Sequence, residues 1–99
     1  MGETEALSRA AVVARNARAE LDCPIEVIVQ GPLAAIAIDD RGRPAVDMIA
    51  DSHARVILCA NSLRGARIDP DTVSTGVVVS AAVTYLARRQ AEGWSYVRL

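Results

Sequence analysis

Apolar residues recur every third or fourth position from Ala6 to Leu21. Leu7, Ala10, Ala11, Ala14 and then Ala17 or Leu21 share one face, with Arg9, Arg15 and Arg18 off it. That period, with the helix propensity of alanine, predicts an amphipathic helix that Asp22-Cys23-Pro24 stops. The period then changes. Ile25 to Gln30 alternates as a strand does, and Gly31-Pro32 punctuates its end. Leu33 to Ile38 suits a short helix with Pro32 in its first turn. Asp39-Asp40-Arg41-Gly42-Arg43 reads as a polar loop, and Pro44 to Ser52 as a helix with Val46, Ile49 and Ala50 inward. Arg55 to Ala60 is almost continuously apolar, the mark of a strand buried on both faces. Asn61 is placed to cap a helix running to about Ala66, and Asp69 to cap a short turn at Pro70 to Val73. Gly76 to Ser80 predicts a third strand, Ala81 to Glu92 a helix that Gly93 ends in a left-handed cap, and Trp94 to Leu99 a short closing strand. Strands alternating with helices predict an α/β fold, a mostly parallel sheet with helices on its faces.

Composition narrows the possible functions. Ninety-nine residues suffice for one domain and not for two, so residues 1–99 are expected to form a single unit. At 52% hydrophobic and 23% charged the chain lies outside the disordered class, yet its core is small enough to gain from self-association. Eleven basic against twelve acidic residues leave a net charge of -1, with no basic stripe for nucleic acid or an anionic membrane. No apolar run is long enough to span a bilayer, and the acidic start Met1-Gly2-Glu3-Thr4-Glu5 lacks a signal-peptide core, so a cytoplasmic location is expected. Every basic residue is arginine. The absence of lysine removes Schiff-base chemistry and the phosphate-binding lysine of a Walker loop. The aromatics Tyr85, Trp94 and Tyr96 cluster late in the chain, unlike a base-stacking platform. Cys23 and Cys59 form no C-x-x-C, and with His53 as the only histidine a zinc site built within one chain is not expected. A disulfide between the two cysteines would be unusual in a reducing cytosol.

The candidate chemistry centres on Cys59. It ends an apolar run and precedes a polar residue able to start a helix, so it falls at the carboxyl edge of the sheet, where open α/β folds meet their ligands. Amide donors at the start of the next helix favour thiolate over thiol. An inert buried cysteine is the competing reading, since free cysteine is among the most buried residue types. Asn61, Ser62 and Arg64 follow at once and are candidates to steady an anionic sulfur or its cargo, although helix capping alone explains Asn61. Gly31 and Ser80 end the neighbouring strands and would share that edge, as pocket walls or as a turn and a cap. Cys23 has no activating neighbour. His53 falls at the other end of the strand, too far to act as a base.

The segment Cys59-Ala60-Asn61-Ser62-Leu63-Arg64-Gly65 with Ile68-Asp69-Pro70 resembles the C-x-N-[ST]-L-R-x-x-G-[IM]-[DP] signature of small DsrE/DsrF-like proteins. Gly76-Val77-Val78-Val79-Ser80 and the stretch Arg88 to Arg98 are similar to that family's G-V-x-V-V-x-x-G and Q-x-E-G-[WY]-A-Y-[IV]-[RK] patterns, and Gly31-Pro32 to its H-G-P-like turn. The resemblance implies a three-layer α/β/α fold and assembly into dimers, trimers or hexamers. It also implies a cysteine, here Cys59, that carries sulfane sulfur as a persulfide between donor and acceptor proteins, without metal or organic cofactor. Two departures stand out. The chain begins at the first helix, without the family's preceding strand, so either translation starts upstream, or four strands suffice, or a partner completes the sheet, which is expected to have four to five strands. Ala66-Arg67 also stands where the family often has a glycine before the Ile. Many members of this branch have no assigned activity. A non-catalytic homo-oligomeric binding module is therefore the alternative reading, and a nucleotide or small-ligand site at the sheet edge ranks below both for want of a glycine-rich loop.

Overall fold

The structure, a computed structural model, describes residues 2–99. Met1, the first residue of the acidic start, lies outside the described residues. Three parallel strands, β1 (Glu26–Val29), β2 (Arg55–Cys59) and β3 (Val77–Val79), lie side by side in the order β1-β2-β3. The helices are α1 (Glu3–Glu20), α2 (Leu33–Ala37), α3 (Arg43–Asp51), α4 (Ala60–Gly65) and α5 (Ala82–Ala91), with a 3-10 turn at Pro70–Thr72. The protein is thus an α/β fold, a three-stranded parallel sheet flanked by helices.

Alternation along the strands sorts the two faces. Val29, Val56 and Leu58 point into one hydrophobic cluster with Leu7, Ala11 and Ala14 of α1, Ala34 and Ile36 of α2, Val46 and Ile49 of α3, and Leu63 of α4. Successive strand residues point to opposite faces, so Glu26, Ile57 and Cys59 lie on the other face. That face is covered by α5, whose Tyr85 and Arg89 reach Glu26. All of Val56, Ile57, Leu58 and Cys59 are buried, as expected for the central strand. Leu7, Ala10, Ala11 and Ala14 form the buried stripe of α1, and Leu21 is exposed beyond the end of the helix. In α3 the buried residues are Ala45, Val46 and Ile49; Ala50 faces solvent, one position off the expected stripe.

Three further expectations change. Trp94 to Leu99 forms no strand, because no strand of this chain pairs with it, and the sheet has three strands among the described residues rather than four or five. Asn61 is not the cap of α4; the helix starts two residues earlier than that cap would set it, at Ala60, and Cys59 itself takes the cap position. Arg67 fills the place of the missing glycine in the left-handed conformation, with φ 63°, and the Ile68 amide closes the turn on the Leu63 carbonyl at 2.9 Å. The turn after α4 is thus closed through a left-handed residue that is not glycine. Asp69 caps the 3-10 turn as expected, accepting from the Asp71 amide at 3.0 Å.

Candidate functional site

Cys59 ends β2 in extended backbone (φ -84°, ψ 118°) and the chain turns directly into α4. A residue at that position aims its side chain back at the second and third amides of the helix, which have no carbonyl partner within it. Those amides belong to Asn61 and Ser62. A third, that of Ala82 at the start of α5, comes from beyond the neighbouring strand β3, whose Val79 pairs with Cys59. Burial pushes the Cys59 thiol pKa up. The Ser62 hydroxyl and the amides of Ser62, Ala82 and Asn61 push it down, and together they win, so the thiol lies below its ordinary value. Around the neutral thiol no capping hydrogen bond is fully formed, so these donors act as oriented dipoles that strengthen when the sulfur ionises.

The Ser62 hydroxyl is itself held in place. The Gly31 amide donates to Ser62 Oγ at 2.7 Å, which leaves the hydroxyl proton free for the sulfur. Gly31 follows β1 with φ 67°, a conformation that costs any other L-residue about 1–2 kcal/mol. Of the residues expected at the site, Gly31, Ser62 and Cys59 are brought together. Arg64 is not shown on the sulfur; its guanidinium donates to Asn61 Oδ1 at 3.2 Å on the exposed side of α4. The Asn61 side chain is thereby turned to Arg64, and its backbone amide is what serves Cys59. Ser80 lies exposed in the link from β3 to α5, at the same edge of the sheet, two residues before the Ala82 amide.

Access is narrow. Cys59 is 5% exposed, although it lies outside the hydrophobic cluster and among polar donors. Two surface clefts lie elsewhere and do not reach it. One of about 560 Å³ runs between α1 and α3, and one of about 180 Å³ lies beside Asp39 and Thr75. Cys23 is an exposed free thiol before the amino end of β1. Parallel strands place it at the opposite edge from Cys59, a strand length on the order of 15 Å away, beyond the reach of a disulfide.

Comparison with solved structures places this arrangement among known folds. The chain matches the protein of unknown function MTH1491 from Methanobacterium thermoautotrophicum with a TM-score of 0.79 and 30% identity, over 91% of this chain and 84% of that one. It belongs to the MTH1491 family. No protein-family model matches the chain, and no curated protein does. Membership of the MTH1491 family carries the fold and assigns no chemistry. No helix among the described residues of this family member is long and apolar enough to cross a membrane.

Two features escaped the sequence. The Ala82 amide is one, although the logic applied to Cys59, a strand end running into a helix start, holds equally for Ser80-Ala81-Ala82. The other is a buried carboxylate. Glu26, with its side chain 2% exposed, accepts from Tyr85 Oη at 2.7 and 2.8 Å and takes a two-pronged bond from Arg89 at 2.9 and 3.0 Å, with Arg55 at 3.5 Å. Arg89 lies against the Tyr85 ring at 5.0 Å and the Trp94 ring at 4.6 Å. Burial and the neighbouring Glu26 raise the Tyr85 pKa, so it remains a proton donor to the carboxylate. This group sits at the amino end of β1, away from Cys59, and fastens α5 to the sheet.

Proposed function

We propose that this member of the MTH1491 family is a DsrE-like sulfur carrier of an intracellular relay, with Cys59 as the residue that accepts and passes on sulfur. The observation that carries the reading is the set of donors around one strand-end sulfur, from β1 through Ser62, from α4 and from α5. In the reaction the Cys59 thiolate attacks the outer sulfur of a donor persulfide, R–S–SH. A new S–S bond forms to Cys59, the old S–S bond breaks, and R–S⁻ leaves and takes up a proton. No net oxidation occurs. An acceptor thiolate then repeats the exchange in the other direction. The Ser62 hydroxyl and the three amides hold the anion before attack and again when Cys59 becomes the leaving group. Asn61, Arg64 and Ser80, exposed at the rim, meet whatever delivers the sulfur. Loading also relieves the depth of the thiol, since the second sulfur stands about 2 Å further out than the first.

Near-complete burial of Cys59 favours a second reading, a non-catalytic homo-oligomeric binding module in which the thiol is inert. The two separate cleanly. After incubation with a small persulfide donor, the intact mass of the native protein should rise by one sulfur, located at Cys59 by fragmentation. Cys59→Ser should keep the fold and lose this increment, whereas Cys23→Ser should keep it. A wild-type protein that takes up no sulfur at Cys59 contradicts the carrier and leaves the binding module.

A further inference from the structure

We propose that α5 is a lid over Cys59, latched by the polar bonds of Tyr85 and Arg89 to Glu26, and that reagents reach the sulfur when this helix lifts off the sheet. The lid rests on the proposed function only for its use, which is to shield a loaded sulfur between transfers.

The helix runs from the sulfur to the buried carboxylate. Ala82, its first residue, directs its amide at Cys59 from beyond β3, and Arg89 in its last turn meets Glu26 on β1. It therefore crosses above β2, over Ile57 and Cys59, which are 0% and 5% exposed. Apolar packing holds it weakly. Of its ten residues only Ala82 is buried; Tyr85, Leu86 and Arg89 are half-buried and the rest face solvent. None belongs to the hydrophobic cluster that joins α1 to α4 with the other face of the sheet. The start of the helix has no side-chain cap, and the two-residue link Ser80-Ala81 joins it to β3.

Polar bonds at the far end supply what packing lacks. Tyr85 Oη and the Arg89 guanidinium each donate to both oxygens of Glu26, and the Trp94 ring lies against Arg89. Charge-assisted bonds of this kind are strong, but these share a single carboxylate and are lost together when it meets water. An element with so little buried apolar surface opens at a fraction of the cost of global unfolding. When α5 lifts, Ala82 leaves the sulfur, while Asn61 and Ser62 on α4 and Gly31 after β1 stay in place. The sulfur then meets solvent with most of its donors still around it. A free helix of ten residues is marginal in water, so its own amides become exchangeable in the same event.

The test pairs alkylation of Cys59 by iodoacetamide with backbone hydrogen exchange, in the full chain carrying Cys23→Ser. Alkylation is read at a pH where Cys59 is fully ionised, so that its rate reports access alone. Tyr85→Phe and Arg89→Ala each remove part of the latch, and each should speed alkylation about tenfold or more. Amide exchange in α5 should rise by the same factor, with exchange in α1 and α3 unchanged. Ile49→Val thins the core on the other face of the sheet and should leave the alkylation rate as it is. Faster exchange in α5 without faster alkylation overturns the lid, as does no change in either. So does an Ile49→Val variant that matches the latch variants, or faster exchange spread over α1 and α3, since access would then follow global unfolding. Persulfide uptake is scored separately: latch variants that behave as expected, in a protein that takes up no sulfur, keep the lid and remove the carrier.

Discussion

Cys59 is activated by where its neighbours' backbones end, and only Ser62 contributes through its side chain. This makes Ser62 the informative position to change. Replacing its hydroxyl removes the largest force that lowers the thiol pKa and leaves burial, which raises it. In Ser62→Ala the Cys59 pKa should move up towards the ordinary thiol value of about 8.5, and thiol alkylation near neutral pH should slow. Ultraviolet absorbance of the thiolate against pH measures this without relying on access. An unchanged pKa would show that the backbone amides act alone. Gly31 matters through the same hydroxyl, because its amide fixes the Ser62 oxygen from the opposite strand end. None of this is visible in the spacing Gly31 to Ser62, since the two meet only through the pairing of β1 with β2.

Among the elements, α4 and α5 hold the site and are secured in different ways. The end of α4 turns through Arg67 at φ 63°, a strained position for a side-chain residue. Arg67→Gly should stabilise the protein by about 0.5–1 kcal/mol, the relief of strain exceeding the added flexibility of the unfolded chain. Denaturant unfolding at equilibrium measures the change, and a loss of stability would show that the Arg67 side chain holds something the turn needs. The helix α5 is tied down at its far end by Glu26, Tyr85 and Arg89, so Tyr85→Phe leaves a buried carboxylate short of a donor. The expected cost is about 1–3 kcal/mol, read as a lowered unfolding midpoint. Much of this layout was legible beforehand. The period of Leu7, Ala10, Ala11 and Ala14, the apolar run at Val56 to Cys59 and the glycine at Gly93 each encode their element locally. Trp94 to Leu99 reads as a strand by composition yet has no partner in the chain, and pairing is a property that composition does not contain. The bond from Tyr85 to Glu26 joins residues far apart in sequence, and a lone glutamate at the start of a strand carries no mark of burial.

Considered as one molecule, the protein has a well-filled side and a thinly covered one. Helices α1 to α4 and one face of the sheet share the core cluster, while α5 alone lies over the face that carries Ile57 and Cys59. The sulfur thus sits on the thin side, on the central strand beside β3. A rigid, crowded position with an anion-friendly lining differs from an inert core cysteine in one property, the pH at which it ionises. The decisive experiment is the rate of alkylation of Cys59 by a small reagent such as iodoacetamide, followed from acid to alkaline pH in a Cys23→Ser background. The rate should rise with pH through a midpoint below that of an unperturbed thiol measured alongside, because the fold favours the thiolate. A native protein whose Cys59 stays unreactive throughout, or reacts with a midpoint at or above that of the unperturbed thiol, would contradict a sulfur built to ionise at the edge of this fold.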